Sequence, residues 1–368
     1  MPEPRGVETL ITPGFRIRGK WGGNDTPPSA EQGSSTHQFY CSILIHHIVI
    51  EFTESRPGSR RCTRLRRVET PKAYPTGVPH KALRLALRLL VYVVLFIATA
   101  FFASPLLLWV LSYPAGAIAA EVFAAIVANW LTLRIWEDRR IFELGLWWTR
   151  QSSENLAIGL LGGAGSASLV LAPPILLGIA HIVSAPNDYP TVGSIVLVTL
   201  LLSAGVVGEE LLFRGYGFQV LLAAAGPFAT ILPVGVIFAL LHGSNPNATT
   251  LGIANTAAFG ILFGYAYLRS RDLWLPIGLH LGWNFTLPLF GVNLSGFKMK
   301  MAVYEMSWSA GDLWSGGEYG PEASILTSAV IVLLAFYLWK APIRRQPSPL
   351  TDPPAENPVC EPSARLPL

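Results

Sequence analysis

Charged residues are scarce in this 368-residue sequence. Asp, Glu, Lys and Arg make up 14% of it, and hydrophobic residues make up 51%. A soluble domain averages about 25% charged residues, so this composition excludes an ordinary soluble domain and is typical of a membrane protein. The formal net charge is +4, but the basic residues lie in loops and tails, where the positive-inside rule places them. The sequence therefore predicts contact with the lipid bilayer and no nucleic-acid partner.

Cysteine and methionine are also rare. Cys41, Cys62 and Cys360 all lie outside the apolar runs. Their spacing matches neither a metal site nor a disulfide framework. No methionine occurs between Met1 and Met299, so an alternative start to the reading frame would need a Val or Leu codon.

Residues 1–80 and 341–368 differ in composition from the rest of the chain. The first segment is rich in Pro, Gly, Ser and Arg, with one apolar patch at 39–52. We expect it to be a disordered, basic cytoplasmic leader, since it lacks the apolar content to form a core. A second interpretation is a start called too early, with translation beginning near Val68 or Val78. Residues 341–368 are predicted to be a disordered cytoplasmic tail.

Between these segments, residues 81–340 contain a series of apolar runs. A membrane-spanning helix needs about 20 apolar residues. The predicted spans are 89–111, 117–133, 156–183, 191–210, a run that ends at residue 242, 250–268, 273–290 and 323–339. The sequence therefore predicts an all-α, polytopic membrane helix bundle of about eight transmembrane helices, forming one domain.

The charges between these runs alternate in sign along the chain. With the amino terminus in the cytoplasm, the long outer connection has Lys298 and Lys300 beside four carboxylates. The cytoplasmic connections carry Arg134, Arg139, Arg140, Arg150, Arg214, Arg269, Arg271, Lys340, Arg344 and Arg345. By the positive-inside rule, we expect an integral membrane protein of the bacterial inner membrane with both termini in the cytoplasm.

An ionisable cluster interrupts the fourth run. Glu209, Glu210 and Arg214 follow the apolar residues 194–207. Such groups are rare inside a bilayer and are usually functional. Glu210 and Arg214 lie four residues apart on one helix face and can form an ion pair, whereas Glu209 points about 100° away. In the alternative, structural interpretation, both carboxylates only neutralise Arg214.

Two later runs each carry a histidine. His280 lies four residues before Asn284, so both polar side chains share one face of an apolar helix. His242 ends its run, where a lone histidine is more often a capping group. A hairpin at 226–227, the Gly-Pro pair between the two runs, would place Glu209 and His242 at similar depth. We therefore expect Glu209, His242 and His280 to meet in one buried polar site.

Two weaker patterns give further expectations. Glu121 lies near the start of the second run, and we interpret it as interfacial. Glycines in small-xxx-small patterns allow close helix packing. Those expected to do so are Gly159, Gly162, Gly163, Gly165, Gly278 and Gly282.

Three short motifs follow one another along these helices: Glu-Glu-x-x-x-Arg from Glu209, Phe-x-x-x-His ending at His242, and His-x-x-x-Asn from His280. Together they resemble the motif set of the CPBP family (CAAX prenyl proteases and bacteriocin-processing enzymes, also called Abi proteins). The resemblance covers residues 194–284, and the stretch 316–324 also resembles a loop of bacterial members. It implies an eight-helix hydrolase that cleaves a peptide bond of a membrane protein or membrane-associated peptide.

The resemblance also implies roles for the residues at the motif positions. Glu209 is expected to activate a water as general base, and His242 to orient that water. His280 and Asn284 are expected to lie on the carbonyl side, with Asn284 donating to the developing oxyanion. Glu210 and Arg214 are expected to form a structural ion pair.

A metal is one of two open possibilities at this site. Glu209, His242 and His280 would make a plausible Zn²⁺ ligand set with a free fourth position, as in a metalloprotease. The same groups also suit a metal-free glutamate-type protease, and the His-Glu-x-x-His zinc signature is absent from the sequence.

Two other functions fit the same cluster. A transporter could use the buried Glu, His and Arg side chains as a proton relay, although the internal repeats that many transporters show are not evident. A catalytically inactive relative could act as a membrane scaffold.

Overall fold

The computed structural model describes residues 42–45, 48–51, 64–67, 78–111, 113–185 and 189–352. The chain divides into two compact units, Met1–Pro75 and Thr76–Leu368. In the first unit, β1 (Ser42–Ile45), β2 (Ile48–Glu51) and β3 (Arg64–Arg67) pair antiparallel in sequence order. Residues 78–80 of the predicted leader begin the first helix of the second unit, and the remaining leader residues lie outside the described part of the chain. Three cysteines and one of the two proposed starts also lie outside it: Cys41, Cys62, Cys360 and Val68.

The second unit is a bundle of helices. In chain order these are α1 (Val78–Val110), α2 (Tyr113–Trp136), α3 (Arg150–Leu176), α4 (Val192–Arg214), α5 (Tyr216–His242), α6 (Thr250–Ser270), α7 (Trp274–Leu289), α8 (Asp312–Ser315) and α9 (Ile325–Lys340). A two-stranded antiparallel sheet joins β4 (Ala180–Ser184) to β5 (Tyr304–Trp308). The all-α fold class predicted from composition and periodicity is confirmed.

Among the residues that the structure describes, five helical stretches are long and apolar enough to cross a membrane. They are Lys81–Val110, Tyr113–Trp136, Arg150–Leu176, Val192–His242 and Thr250–Ser270. The fourth stretch contains both α4 and α5, while α7 and α9 are shorter, at 16 residues each. The third predicted span, 156–183, was too long: α3 ends at Leu176, just after Pro173 and Pro174, and the chain then enters β4.

Glycines allow α3 and α7 to pack at backbone distance. A Cβ added to Gly159, Gly163, Gly278 or Gly282 would lie only 2.0–2.4 Å from a main-chain oxygen of the facing helix. These contacts confirm the small-residue packing faces predicted on both helices. The prediction was wrong for Gly165, where an added Cβ would meet nothing within 4 Å. The two helices are thereby fixed closely against each other.

The chain leaves the helical path for one residue between α4 and α5. At Gly215 an added Cβ would lie 2.1 Å from the carbonyl oxygen of Leu211 and 2.3 Å from Oδ1 of Asn129. That same Oδ1 accepts a hydrogen bond from the backbone N–H of Tyr216, at 2.7 Å. A buried asparagine of α2 therefore satisfies the start of α5.

The fold-back predicted at Gly226–Pro227 lies inside α5. Gly226 has non-helical dihedrals, with φ 82° and ψ 177°. Phe213 and Phe238, which precede and follow this glycine by similar numbers of residues, have ring centroids 5.1 Å apart. The chain therefore reverses at Gly226 and brings the end of α4 beside the second half of α5.

The first part of the predicted tail packs against the bundle. Gln346 donates its backbone N–H to the carbonyl of Ser270 at 2.7 Å, and Arg344 donates to Oδ1 of Asn155 at 2.9 Å. Ser348 is buried. Residues 341–352 thus differ from the prediction of disorder, because main-chain hydrogen bonds to helix ends hold them in place. Residues 353–368 lie outside the described part of the chain.

Candidate active site

A cavity of about 450 Å³ opens between helices α2, α4, α5, α6 and α7 and the loop before α9. Its wall contains the four residues predicted to be catalytic, which are Glu209, His242, His280 and Asn284. It also contains further polar side chains that the sequence interpretation did not assign to the site, which are Glu121, Asn245, Thr256, Ser295 and Glu322. The rest of the wall is mostly aliphatic and aromatic, so the polar groups face one another across apolar surroundings.

Glu209 presents its carboxylate to this cavity. Its side chain is 22% exposed, and Oε2 lies 3.8 Å from Nε2 of His280. Oε2 has no hydrogen-bond donor among the residues that the structure describes. A carboxylate held beside an imidazole with a free acceptor oxygen can accept a proton from a water bound between them.

Glu210 points away from the cavity and into the bundle. Its Oε1 accepts hydrogen bonds from Nη1 of Arg214, at 3.2 Å, and from Nδ1 of His280, at 3.0 Å. The side chains of Glu210 and Arg214 are both fully buried. The structure thus contains the predicted ion pair and adds a second contact to it. Because Nδ1 of His280 is engaged by Glu210, its Nε2 is turned towards Glu209.

Aromatic rings enclose the guanidinium of Arg214. It lies 5.1 Å from the ring centroid of Phe238 and 5.3 Å from that of Phe263. Its Nη2 donates to the carbonyl of Gly260 at 2.8 Å. These contacts replace water around the buried cation and explain how an arginine is held at the centre of an apolar bundle.

The two histidines are held in different ways. Nδ1 of His242 lies 2.8 Å from the carbonyl of Phe238, one turn earlier on α5. A carbonyl only accepts, so Nδ1 carries the proton and Nε2 is left for the cavity. His280 stacks on Phe263, with ring centroids 4.7 Å apart and planes inclined by 20°. Each ring is therefore oriented by its protein contacts before any substrate binds.

Glu121 was interpreted as an interfacial residue, and the structure corrects this. It lies on α2 in the wall of the cavity, close enough to Glu209 for the two charges to interact. The available signal was a lone carboxylate among apolar residues, which is unusual inside a membrane helix. Its position near the start of the run hid that signal.

Glu322 was counted among the charges of the outer loop, yet it is 7% exposed and lies in the cavity wall. Its Oε2 accepts hydrogen bonds from the backbone N–H and, at 2.8 Å, from the hydroxyl of Ser295. Its Oε1 accepts from the indole of Trp283 at 3.3 Å. Burial raises the pKa of this carboxyl, and the hydrogen bonds from Ser295 act in the opposite direction.

The side chains of Glu209, His242 and His280 are of the types that bind zinc, but they are not positioned to bind one ion together. Two imidazole nitrogens and a carboxylate are common zinc ligands. However, no group of three or more His, Cys, Asp or Glu side chains among the described residues is arranged to hold a metal ion. Because Nδ1 of each histidine is engaged by the protein, only Nε2 of each could bind one. The residues as placed do not form a metal site, and zinc stays a prediction from the sequence.

Comparison with known families gives independent evidence about this site. Residues 190–286 match the family model described as "Rce1-like: Type II CAAX prenyl endopeptidase Rce1-like". This confirms the resemblance to the CAAX protease family drawn from the three motifs. The match begins just before α4 and ends within α7, so it contains all four predicted catalytic residues. No curated protein matches the chain.

At the level of the family, the Rce1-like match supports a CAAX-protease-like membrane endopeptidase, with a membrane-associated protein as its substrate. The apolar helices indicate an integral membrane protein. Glu121 and Glu322 lie outside the matched residues, so the match gives them no role.

Proposed function

We propose that this chain is an intramembrane endopeptidase that hydrolyses a peptide bond with a water activated by Glu209. The observation that carries the proposal is the difference in environment between the two adjacent glutamates. Glu210 is fully buried and pairs with Arg214 and His280, whereas Glu209 lies in the cavity wall, with its Oε2 3.8 Å from Nε2 of His280. One glutamate is enough to neutralise Arg214, and the second is left for chemistry.

Because Oε2 of Glu209 lies 3.8 Å from Nε2 of His280, we assign His280 to the water and not to the carbonyl side that the resemblance implied. In the proposed reaction, a water held between Glu209 and this Nε2 loses a proton to Glu209 as its oxygen attacks the scissile carbonyl. Nε2 accepts a hydrogen bond from the same water, because Nδ1–H is directed to Glu210. The amide of Asn284 donates to the oxyanion of the tetrahedral intermediate. As the C–N bond breaks, Glu209 returns the proton to the leaving amine nitrogen. His242 orients the peptide or the water through its free Nε2.

The apolar wall of the cavity suits a substrate that arrives within or beside the bilayer. The lining includes Phe96, Ile118, Leu201, Leu241 and Phe297 around the polar groups. Exclusion of bulk water from such a site strengthens the hydrogen bonds and charges that act on the substrate. The substrate class proposed here is a membrane-associated protein or peptide, prenylated or not.

The test is a comparison of new protein amino termini in membranes that contain wild-type protein or Glu209→Gln. Gln keeps the size of the side chain but accepts no proton. Glu318→Gln, an exposed carboxylate outside the cavity, is the matched control. We expect a set of cleaved termini that is lost in Glu209→Gln and kept in the control. Identical termini in all three samples would contradict the proposal and favour a scaffold.

A further inference from the structure

One face of α4 carries both the proposed general base and a glycine. Leu201, Gly205 and Glu209 follow one another at intervals of four residues, and all three lie in the cavity wall. Residues four apart share one face of a helix. At a rise of about 1.5 Å per residue, Gly205 lies about 6 Å from Glu209 along the helix axis. A residue without a side chain therefore lies one turn before Glu209, on the same face.

Contacts with α2 show which residues lie side by side. An added Cβ at Gly208 would lie 2.9 Å from Cγ2 of Val122, and one at Gly205 would lie 3.8 Å from Cγ2 of Ile118. The two helices therefore advance together, with Ile118 beside Gly205 and Val122 beside Gly208. The part of the cavity beside Gly205 and Ile118 is thus one helical turn away from Glu209.

Close packing does not require a glycine at position 205. The contact of 3.8 Å with Ile118 is an ordinary van der Waals distance, and it is the one neighbour found within 4 Å of the added Cβ among the described residues outside the adjoining helix backbone. At Gly208, by contrast, the distance of 2.9 Å leaves no room for a side chain. Glycine is a poor helix former, so an alanine at 205 would favour the helix. What the glycine provides there is space in the cavity.

The wall around this space is apolar. Helices α1 and α2 and the part of α4 before Glu209 contribute these residues to it: Phe96, Ile118, Leu201, Leu202, Gly205 and Val206. Glu121 is the one ionisable side chain that the described residues of these segments add. Such surroundings favour an apolar group. An extended chain advances about 3.3 Å per residue, so a substrate side chain one or two residues from the scissile bond can reach this space.

We propose that Gly205 and Ile118 form the base of a subsite for a large apolar side chain of the substrate, and that Gly205 determines which side chains fit. The inference rests on the proposed function and assigns a specificity to the same site. The space holds a leucine, methionine or phenylalanine side chain of the substrate, and any side chain at position 205 would fill part of it. In an apolar pocket, one methylene group more or less changes kcat/KM about 10–200-fold.

The rival explanation is that Gly205 affects only the helix, and a second glycine of α4 provides the matched control. At Gly193 the one neighbour within 4 Å of an added Cβ among the described residues, counted in the same way, is Oγ1 of Thr191, at 3.8 Å. Gly193 does not belong to the lining of the cavity. Gly193→Ala and Gly193→Val therefore make the same changes to the same helix without filling the cavity.

The first measurement compares new protein amino termini in membranes that contain wild type, Glu209→Gln, Gly205→Ala, Gly205→Val or either Gly193 variant. We expect the termini that depend on Glu209 to share a large apolar residue at one position, one or two residues from the cleaved bond. Gly205→Ala should lower their yield about 10-fold or more relative to sites with a small residue there, and Gly205→Val should remove them. Both Gly193 variants should keep the wild-type set.

Each other outcome has a definite meaning. An unchanged set of sites in both Gly205 variants, or an equal loss at sites with large and small residues, would overturn the subsite and leave the proposed function standing. The absence of any terminus that depends on Glu209 would overturn both. Thermal unfolding checks the fold, and we expect Gly205→Ala to unfold near the wild-type temperature. If neither Gly205 variant folds, the glycine is a packing residue and the subsite is overturned.

The second measurement uses synthetic peptides of one cleaved site in which the residue at that position is Ala, Val, Leu or Phe. In wild type we expect kcat/KM to rise with the size of this side chain. In Gly205→Ala the rise should end at a smaller residue, whereas Gly193→Ala should follow wild type. The same order of peptides in Gly205→Ala as in wild type would refute a role for Gly205 in specificity.

Discussion

Removal of the Glu210 carboxylate is the sharpest test of how this bundle holds a buried cation. Both side chains of the Glu210–Arg214 pair are 0% exposed, so Glu210→Ala leaves an uncompensated guanidinium. Breaking such a pair costs about 3–5 kcal/mol. Arg214 would keep the carbonyl of Gly260 and its aromatic neighbours, so we expect the lower end, about 3 kcal/mol. A comparable exposed pair is worth about 0.3–0.5 kcal/mol.

The assay is a double-mutant cycle on detergent-solubilised protein, read by thermal unfolding. Glu210→Ala with Arg214→Leu should recover part of the loss, because no lone charge remains. Arg150→Ala is the control, since Arg150 pairs with Glu154 at the same spacing with its side chain 88% exposed. Additive losses at Glu210 and Arg214 would refute a direct interaction between them, and the roles of the two glutamates would have to be exchanged.

Further outcomes are expected elsewhere in the chain. Glu209→Ala and His242→Ala should each abolish cleavage with little change in unfolding temperature; near-normal turnover by purified Glu209→Ala would contradict its role. Deletion of residues 1–75 should leave activity in membranes, and a stable but inactive product would contradict this. Gly163→Val should cost about 1–3 kcal/mol or more by overpacking, because an added Cβ lies 2.0 Å from a main-chain oxygen, whereas Gly165→Ala should be nearly neutral on thermal unfolding. Burial raises the pKa of Asp272 from 3.8 to about 6, so stability that is complete below pH 3.8 should fall as pH rises through about 6, and Asp272→Asn should flatten that dependence; equal slopes would contradict it.

Much of the core site could be predicted from spacing alone. A helix repeats about every 3.6 residues, so the spacing of four between Glu210 and Arg214 predicts their contact. The same rule puts His280 and Asn284 on one face. The Gly-Pro pair at 226–227 predicts the fold-back that brings His242 into the same cavity. Contacts within one helix and the position of a turn can therefore be predicted from short stretches of sequence.

Other parts of the site depend on contacts between distant segments. The bond from Glu210 to His280 spans 70 residues, and no local pattern encodes it. Glu322 reaches the cavity only because its loop folds back over the helices, where β5 pairs with β4. Glu121 was misjudged for the same reason, because depth along a helix says little about which helices surround it.

The glycine contacts between α3 and α7 have a mechanical consequence. They make those two helices one stiff body, which contains His280 and Asn284. Glu209 belongs instead to α4, which is followed by α5 after the break at Gly215. A hydrogen bond of 3.0 Å joins α7 to α4 beside Glu209, in which Nδ1 of His280 donates to Oε1 of Glu210. This hydrogen bond therefore helps to fix the distance between Glu209 on one body and Nε2 of His280 on the other, and the Glu210–Arg214 ion pair holds its acceptor in place.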